Sequence, residues 1–181
     1  FQGALADFNL CLKIKPDFAP AWCSRGAVKW TMKDLRGALA DYDRGLALVK
    51  NNPLALKNRG AVKQELGDLD GALEDLQSVV KMERGQGEAW YRIGSIHYGR
   101  KGHRTAVSDY THAIEEGYAD PGQAFYWRSL ARYELGDCAG TVDDIGRALR
   151  HRPGWGLALH FRGTARYAMS DYAMARYDLS P

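Results

Sequence analysis

The sequence lacks the features of several large protein classes. Its three cysteines, Cys11, Cys23 and Cys138, stand far apart in 181 residues, too few for a disulfide framework or a structural zinc site. We therefore expect a reducing, intracellular compartment, and the sequence does not say whether this is the cytoplasm or an organelle. No apolar run approaches the ~20 residues of a membrane-spanning helix, so we expect no membrane insertion.

The chain also lacks an excess of one charge. Its formal net charge is +3, with 13 basic and 12 acidic residues in positions 1–90 and 12 basic and 10 acidic residues in the rest. Nucleic-acid binding usually requires a strongly basic stripe or patch. This near balance predicts that nucleic acid is not a partner.

Motifs for catalysis are missing. No histidine has a Cys or His partner at metal-ligand spacing, and neither a GxxxxGK[ST] phosphate loop nor a Ser or Cys nucleophile signature occurs. We therefore expect no enzymatic activity, no cofactor and no metal. The basic turn at residues 100–104 could hold a phosphate at the start of a helix, but simple solvation is the more ordinary role of such a turn.

What the chain does have is a repeat, with a step of 34 residues and once of 35. Large residues recur in one column, small residues four places later, and alanine or threonine in a third column. These columns are Trp22, Leu56, Trp90, Phe125 and Leu159; Gly26, Gly60, Gly94, Ser129 and Gly163; and Ala38, Ala72, Ala106, Thr141 and Ala175. A fixed period of this size indicates a stack of similar units that bury each other's faces.

Each unit has the apolar spacing of two helices. Short segments rich in Gly, Pro, Asn or Asp separate them. The predicted helices cover residues 2–15, 20–32, 36–49, 53–66, 70–83, 87–100, 104–117, 122–135, 139–152, 156–169 and 173–181.

This pattern resembles the tetratricopeptide repeat (TPR), in which Trp, Leu, Gly, Tyr, Ala, Phe, Ala and Pro occupy fixed places over 34 residues. The chain departs from it with an Arg-Gly-x-x-Lys-like first helix and a regular Asp in the second helix. The resemblance implies an all-α, right-handed superhelical solenoid of antiparallel helix pairs. It predicts a single solenoid over 1–181, with a half unit at 1–18, units at 19–52, 53–86, 87–121 and 122–155, and a partial unit at 156–181.

The charged columns predict an internal ladder. Arginine precedes the small residue in four units, and an aspartate recurs in all six second helices: Arg25, Arg59, Arg128 and Arg162, with Asp7, Asp41, Asp75, Asp109, Asp144 and Asp178. The arginine fork can bind a carboxylate through two hydrogen bonds. The alternative is that these arginines grip an acidic ligand, but a matched acidic column favours internal pairing.

By the resemblance, the first helix of each pair lines a concave groove. Its groove-facing places hold the candidate partner-binding residues Trp30, Gln64, Tyr91, Arg92, Tyr98, Tyr126, Trp127, Tyr133, His160 and Tyr167. Aromatic rings with polar tips suit peptide contacts, although the same rings often only pack.

We therefore expect a non-enzymatic scaffold that binds a peptide or partner protein in this groove. The alternative is a permanently bound structural subunit of a large assembly. Solenoid ends normally carry polar caps. We therefore expect a fragment of a larger protein whose exposed ends, with Leu5, Phe8 and Leu12 at one and Tyr172, Ala175 and Leu179 at the other, are covered by further repeats or another subunit.

Overall fold

In a computed structural model, residues 1–179 are described, without the side chains of Tyr177 and Leu179. Within this range the chain forms helices and no strand: α1 (Gln2–Ile14), α2 (Ala19–Thr31), α3 (Leu35–Leu48), α4 (Pro53–Leu66), α5 (Leu69–Met82), α6 (Gly87–Gly99), α7 (His103–Glu115), α8 (Pro121–Glu134), α9 (Cys138–His151), α10 (Gly156–Ala168) and α11 (Tyr172–Leu179). The all-α fold predicted from the repeat is confirmed, and the helix ends agree within two residues. Residues 180 and 181 of the last predicted helix lie outside the described part.

The chain divides into two compact units, Phe1–Arg84 and Gly85–Pro181, here called unit 1 and unit 2. In unit 1, helices α1 to α5 pack consecutively, and in unit 2 helices α6 to α11 do so. No helix among residues 1–179 has both the length and the apolar character needed to cross a bilayer.

The core of each unit lies where a first helix meets a second helix. Ala38 and Tyr42 of α3 are fully buried, as are Ala106 and Tyr110 of α7. A Cβ added at Gly26 would lie 3.3 Å from the Ala38 carbonyl oxygen and from the Tyr42 ring. The small residues in this column therefore set how closely two helices approach.

The turns inside the helix pairs share one backbone feature. One of the two residues after the first helix has positive φ in every pair: Lys33 (65°), Gly67 (86°), Lys101 (61°), Gly136 (79°) and Ser170 (63°). The backbone N–H of the residue that follows closes each first helix by donating to a carbonyl five residues back, as Asp34 N does to Lys29 O at 2.9 Å. Glycine adopts this left-handed conformation freely, whereas lysine and serine adopt it at a cost.

An aspartate follows this turn in four pairs and caps the second helix, and one of the four, Asp171, accepts from Met174 N at 3.3 Å. Asp34, Asp68 and Asp137 each accept a hydrogen bond from the backbone N–H three residues on, at 2.9, 3.0 and 2.8 Å. That third residue is Gly37, Gly71 or Gly140, where an added Cβ would overlap the capping carboxylate. The Asp-x-x-Gly spacing thus fixes the start of these helices.

The arginine–aspartate ladder is present within each unit. Arg59 Nε donates to Asp75 Oδ2 at 2.8 Å and its Nη2 to Asp75 Oδ1 at 2.6 Å, while Lys63 Nζ lies 3.0 Å from the same carboxylate. The same two-point arginine contact joins Arg25 to Asp41, Arg128 to Asp144 and Arg162 to Asp178. These aspartates are buried, so the arginines serve the fold rather than an acidic ligand.

Three of the arginines also reach back to the preceding second helix. Their Nη1 atoms donate to Asn9 (2.7 Å), Asp43 (2.8 Å) and Thr111 (2.9 Å). Each of these arginines therefore joins two consecutive second helices through the first helix between them. Gly146 occupies this column before Arg162, where it offers no side chain.

The ladder prediction was wrong at two of its six aspartates. Asp7 is exposed on α1. Asp109 is buried, but Ile93 stands in the arginine column of its pair, and His97 is the contact instead.

The expected exposure of the terminal apolar residues was also partly wrong. Leu12 is only 6% exposed because α1 packs against α2, and Leu5 and Phe8 are partly buried. Ala175 is 2% exposed because α11 packs against α10, whereas Tyr172 is exposed as expected. The Leu179 side chain lies outside the described part.

Candidate partner-binding face

The predicted partner-binding residues divide between the two units. Trp30 and Gln64 lie in unit 1, and the other eight lie on α6, α8 and α10 of unit 2. We describe each set by itself.

Trp30 is fixed by contacts on two sides. Its ring packs against the buried cluster of Ala38, Tyr42 and Val62, and its Nε1 donates to Glu65 Oε1 at 2.8 Å. Glu65 also pairs with Lys33, at 3.3 Å. These groups and Thr31 line a shallow cavity of about 360 Å³. Gln64 is half-buried on α4.

In unit 2 the predicted tyrosines and Trp127 lie among further aromatic rings. We call the rings of Tyr91, Tyr98, Tyr126, Trp127, Tyr133 and Tyr167 the aromatic face. Tyr98 meets Trp127 edge-on at 5.5 Å between centroids, and Trp127 meets Tyr126 edge-on at 6.0 Å. Tyr91 stacks on Tyr118 at 4.3 Å. Edge-to-face and stacked contacts hold these rings in defined orientations.

The contacts between neighbouring rings leave part of each ring exposed to solvent. Tyr91, Tyr98, Tyr126, Trp127 and Tyr133 are all partly exposed, and Tyr167 is 64% exposed. Each ring therefore packs against neighbouring side chains and keeps part of its surface exposed to solvent.

The aromatic face is electrically neutral. Burial raises the pKa of Tyr91, Tyr98 and Tyr126 above the ordinary phenol value, and Glu134 raises that of Tyr98 further. Their hydroxyls therefore stay protonated at neutral pH and can donate hydrogen bonds. Arg92 is paired with Glu88, with 2.8 Å between Nε and Oε1. His160 is exposed on α10.

The structure adds three aromatic residues that the sequence argument missed. Phe161 meets Tyr133 edge-on at 5.0 Å, Trp155 lies 4.5 Å from Tyr126, and Tyr118 stacks on Tyr91. Phe161 stands in the same repeat column as Arg92 and Trp127, so the period could have revealed it. Trp155 and Tyr118 lie in turns between helices, where the helical period gives no signal.

The chemical groups of the aromatic face are few in kind. Its side chains are phenols and an indole, and the guanidinium of the neighbouring Arg92 is paired with Glu88. Within residues 1–179, no three His, Cys, Asp or Glu side chains are grouped so that they could hold a metal ion.

Comparisons with known proteins place this geometry in a known fold. No protein-family model and no curated protein sequence matches the chain. Among solved structures, MamA from Desulfovibrio magneticus RS-1 is 19% identical with a TM-score of 0.79, covering 88% of this chain and 90% of that one. YrrB, a TPR protein, is 17% identical with a TM-score of 0.82, covering 95% and 88%.

A third similar structure is a tetratricopeptide repeat protein from Parabacteroides merdae ATCC 43184. It is 18% identical with a TM-score of 0.76, and the match covers 96% of this chain and 69% of that one. At these identities the likeness concerns the fold. The chain has the tetratricopeptide fold, as its repeat columns predicted.

Proposed function

We propose that the protein is a non-enzymatic interaction scaffold, a single solenoid over residues 1–181 that binds a peptide or partner protein on its first-helix surface. The observation that carries the proposal is the aromatic face of unit 2. Six partly or largely exposed rings there are oriented by contacts with other side chains rather than by a bound partner.

Pre-orientation matters because ordering side chains on binding costs free energy. A ring already held by neighbours, as Tyr98 is by His103 and Trp127, loses little freedom when a partner covers its exposed side. Tyrosine and tryptophan are also the residues most enriched among binding hot spots. The face is neutral, so it favours an apolar or aromatic segment over a highly charged one.

One structural neighbour supports a peptide as the partner. YrrB, which shares the fold at a TM-score of 0.82, is described as having an unusual peptide-binding site. We extend this to the present chain because its own first helices display aromatic rings. The partner-binding set is then Tyr91, Arg92, Tyr98, Tyr126, Trp127, Tyr133, His160 and Tyr167 in unit 2, with Trp30 and Gln64 in unit 1.

A display library of extended peptides, selected on the whole chain, tests this proposal. Tyr98→Ala and Tyr133→Ala should each weaken a selected peptide by on the order of 1–2 kcal/mol, and Arg92→Ala should also weaken it. Glu115→Ala, at an exposed position on the second helix α7, is the matched control and should change nothing. Peptides that bind equally to all four variants would place the interface elsewhere.

A separate observation supports the alternative, a structural subunit of a large assembly. Helix α1 exposes Leu10 (59%) and Ile14 (76%), which stand four residues apart on one helix face. Large apolar side chains clustered on a surface favour a covering partner. Aggregation of the isolated chain, relieved by Leu10→Lys and Ile14→Lys, together with failure to select any peptide, would favour this alternative.

A further inference from the structure

One edge of unit 1 carries a row of exposed apolar side chains. Helices α1 to α5 pack consecutively and are joined by short turns, so neighbouring helices run antiparallel. The ends of α1, α3 and α5 therefore lie at the same edge as the starts of α2 and α4. Six large apolar residues at this edge are between 38% and 76% exposed: Ile14, Phe18, Leu48, Val49, Leu54 and Met82.

The repeat itself does not require apolar residues at these helix ends. Ile14, Leu48 and Met82 are the last residues of their helices, and the same repeat column in unit 2 holds Glu116 and His151. The helix pairs therefore also form with polar groups at this position. Large apolar side chains exposed at three consecutive helix ends indicate a surface that another body covers.

The same edge is basic, and we call it the basic edge. Its segments 13–18, 47–54 and 81–84 contain five cationic residues, against Asp17 and Glu83. The five are Lys13, Lys15, Lys50, Lys81 and Arg84, and all are exposed. The Lys15 Nζ lies over the Phe18 ring, 5.3 Å from its centroid. A cation and an apolar ring are thus presented together.

The opposite edge of unit 1, where α2 and α4 end and α3 and α5 begin, has the reverse charge. Its segments 31–36 and 65–70 contain four acidic residues, against Lys33 and Arg36. The four are Asp34, Glu65, Asp68 and Asp70. Met32 (43%) and Leu66 (39%) are exposed here, so both edges expose apolar side chains. The basic edge is the one that combines them with an excess of cations.

This combination favours a lipid surface over other anionic partners. Nucleic acid would contact the cations but leave the apolar row in water. An amphipathic helix binds in an apolar groove, whereas these side chains project from helix ends and turns. A bilayer interface is fluid and accepts separate apolar side chains at the level of its headgroups. When its lipids are anionic, it also attracts lysine and arginine.

We propose that the basic edge docks on the surface of a membrane that contains anionic phospholipid. The six apolar side chains enter the headgroup region, and the five cations face the lipid phosphates. The acidic edge faces away, because a negative surface repels it. None of these residues belongs to the partner-binding set proposed above, so the proposal does not depend on peptide binding.

Co-sedimentation of the whole chain with lipid vesicles tests this proposal. Vesicles of phosphatidylcholine mixed with phosphatidylglycerol should bind the protein, and vesicles of phosphatidylcholine alone should bind it about tenfold more weakly or less. Added salt should weaken binding to the mixed vesicles. No binding to the mixed vesicles, or equal binding to both kinds, would overturn the proposal.

Matched double variants locate the contact. Leu48→Gln with Met82→Gln removes two apolar side chains from the basic edge and should weaken binding to the mixed vesicles about tenfold. Met32→Gln with Leu66→Gln makes the same change at similarly exposed positions of the opposite edge and should leave binding unchanged. Undiminished binding by the first variant, or equal losses in both, contradicts docking through the basic edge.

Further measurements separate docking from folding and from a protein interface. Lys50→Gln with Lys81→Gln should weaken binding about tenfold or more, and all these variants should keep the melting temperature of the parent because the replaced side chains are exposed. A chain that ignores vesicles but binds an acidic amphipathic peptide through Leu48 and Met82 would make the edge a protein interface and overturn the proposal. Peptides selected on the aromatic face should bind all these variants equally.

Discussion

The imidazole Nδ1 of His97 lies 2.6 Å from Asp109 Oδ2, at a place where Asp41 and Asp75 each receive both an arginine and a lysine. Burial raises the pKa of the Asp109 carboxyl, and contact with His97 and the charge of His112 offset only part of that rise. The helix pair α6–α7 therefore holds its buried aspartate with less positive charge than the pairs of unit 1.

This difference predicts a pH dependence. A carboxyl whose pKa is raised in the folded state stabilises the protein most below its ordinary value of 3.8, and that contribution is lost as pH rises through the raised value. His97→Lys places a permanent cation beside Asp109, as Lys63 lies beside Asp75, and so should lower the pKa of Asp109. The variant should gain about 1 kcal/mol of unfolding free energy over the parent, and this gain should grow as pH rises above about 4.

Urea unfolding at a series of pH values measures this gain. Asp143→Asn changes an exposed carboxylate on α9 and serves as the control, which should leave the dependence on pH nearly unaltered. If the stability curves of the parent and His97→Lys run parallel, the pH dependence does not arise from Asp109.

The two carboxylates that hold Arg59 should contribute very differently to stability. The Asp75 side chain is 3% exposed and the Asp43 side chain is 53% exposed, and both contact the same guanidinium. Asp75→Ala leaves a half-buried cation without its main partner and should cost about 3 kcal/mol. Asp43→Ala removes a solvent-exposed pair and should cost roughly 0.5 kcal/mol or less. Chemical denaturation of both variants gives the two values, and similar costs would contradict the assignment of the ladder to the fold.

Much of this architecture could be predicted from the sequence because its signals recur. The helices follow from columns such as Gly26 and Ala38, which return in phase through the chain, and the ladder follows from matched arginine and aspartate columns. The repeat period predicts fewer contacts where one 34-residue repeat departs from the others. Ile93 and His97 stand in the columns that hold Arg59 and Lys63 in the preceding repeat, but only the packed helices show that His97 takes over the contact with Asp109.

Turns are where the sequence was least informative. The left-handed residue after each first helix is glycine in two pairs but Lys33, Lys101 and Ser170 in the others, so no residue type marks the column. Backbone closure by the following residues imposes the same conformation on all five. For the same reason, the contribution of Trp155 to the aromatic face depends on a loop path that helical spacing does not encode.

Replacing a strained turn residue should stabilise the protein. Lys101 has φ of 61°, a conformation that costs a side-chain-bearing residue about 1–2 kcal/mol. Lys101→Gly removes this cost but adds freedom to the unfolded chain, so a net gain of about 0.5–1 kcal/mol is expected. Gly136→Lys makes the reverse change at the equivalent turn and should lose a similar amount. Differential scanning calorimetry can compare the two, and shifts of the same sign would refute the explanation.

The capping Asp–Gly pairs predict that replacing the glycine changes stability in a direction that depends on whether the capping aspartate is present. Asp137 accepts from Gly140 N at 2.8 Å, and a Cβ at Gly140 would overlap that carboxylate. Gly140→Ala alone gains about 1 kcal/mol of helix propensity but displaces the cap, which is worth about 1 kcal/mol, so it should be neutral or destabilising. In an Asp137→Ala background nothing remains to be displaced, and the same substitution should stabilise by about 1 kcal/mol.

A matched control lies on the same helix. A Cβ at Gly146 of α9 would meet no atom within 4 Å, so Gly146→Ala should stabilise by about 1 kcal/mol in both backgrounds. Urea unfolding of the parent, the single variants and the double variants completes a thermodynamic cycle for each glycine. We expect a coupling of about 1 kcal/mol between positions 137 and 140 and close to none between 137 and 146. Additive effects at Gly140 would mean that the carboxylate and a new methyl group fit together, and that glycine is not required by the cap.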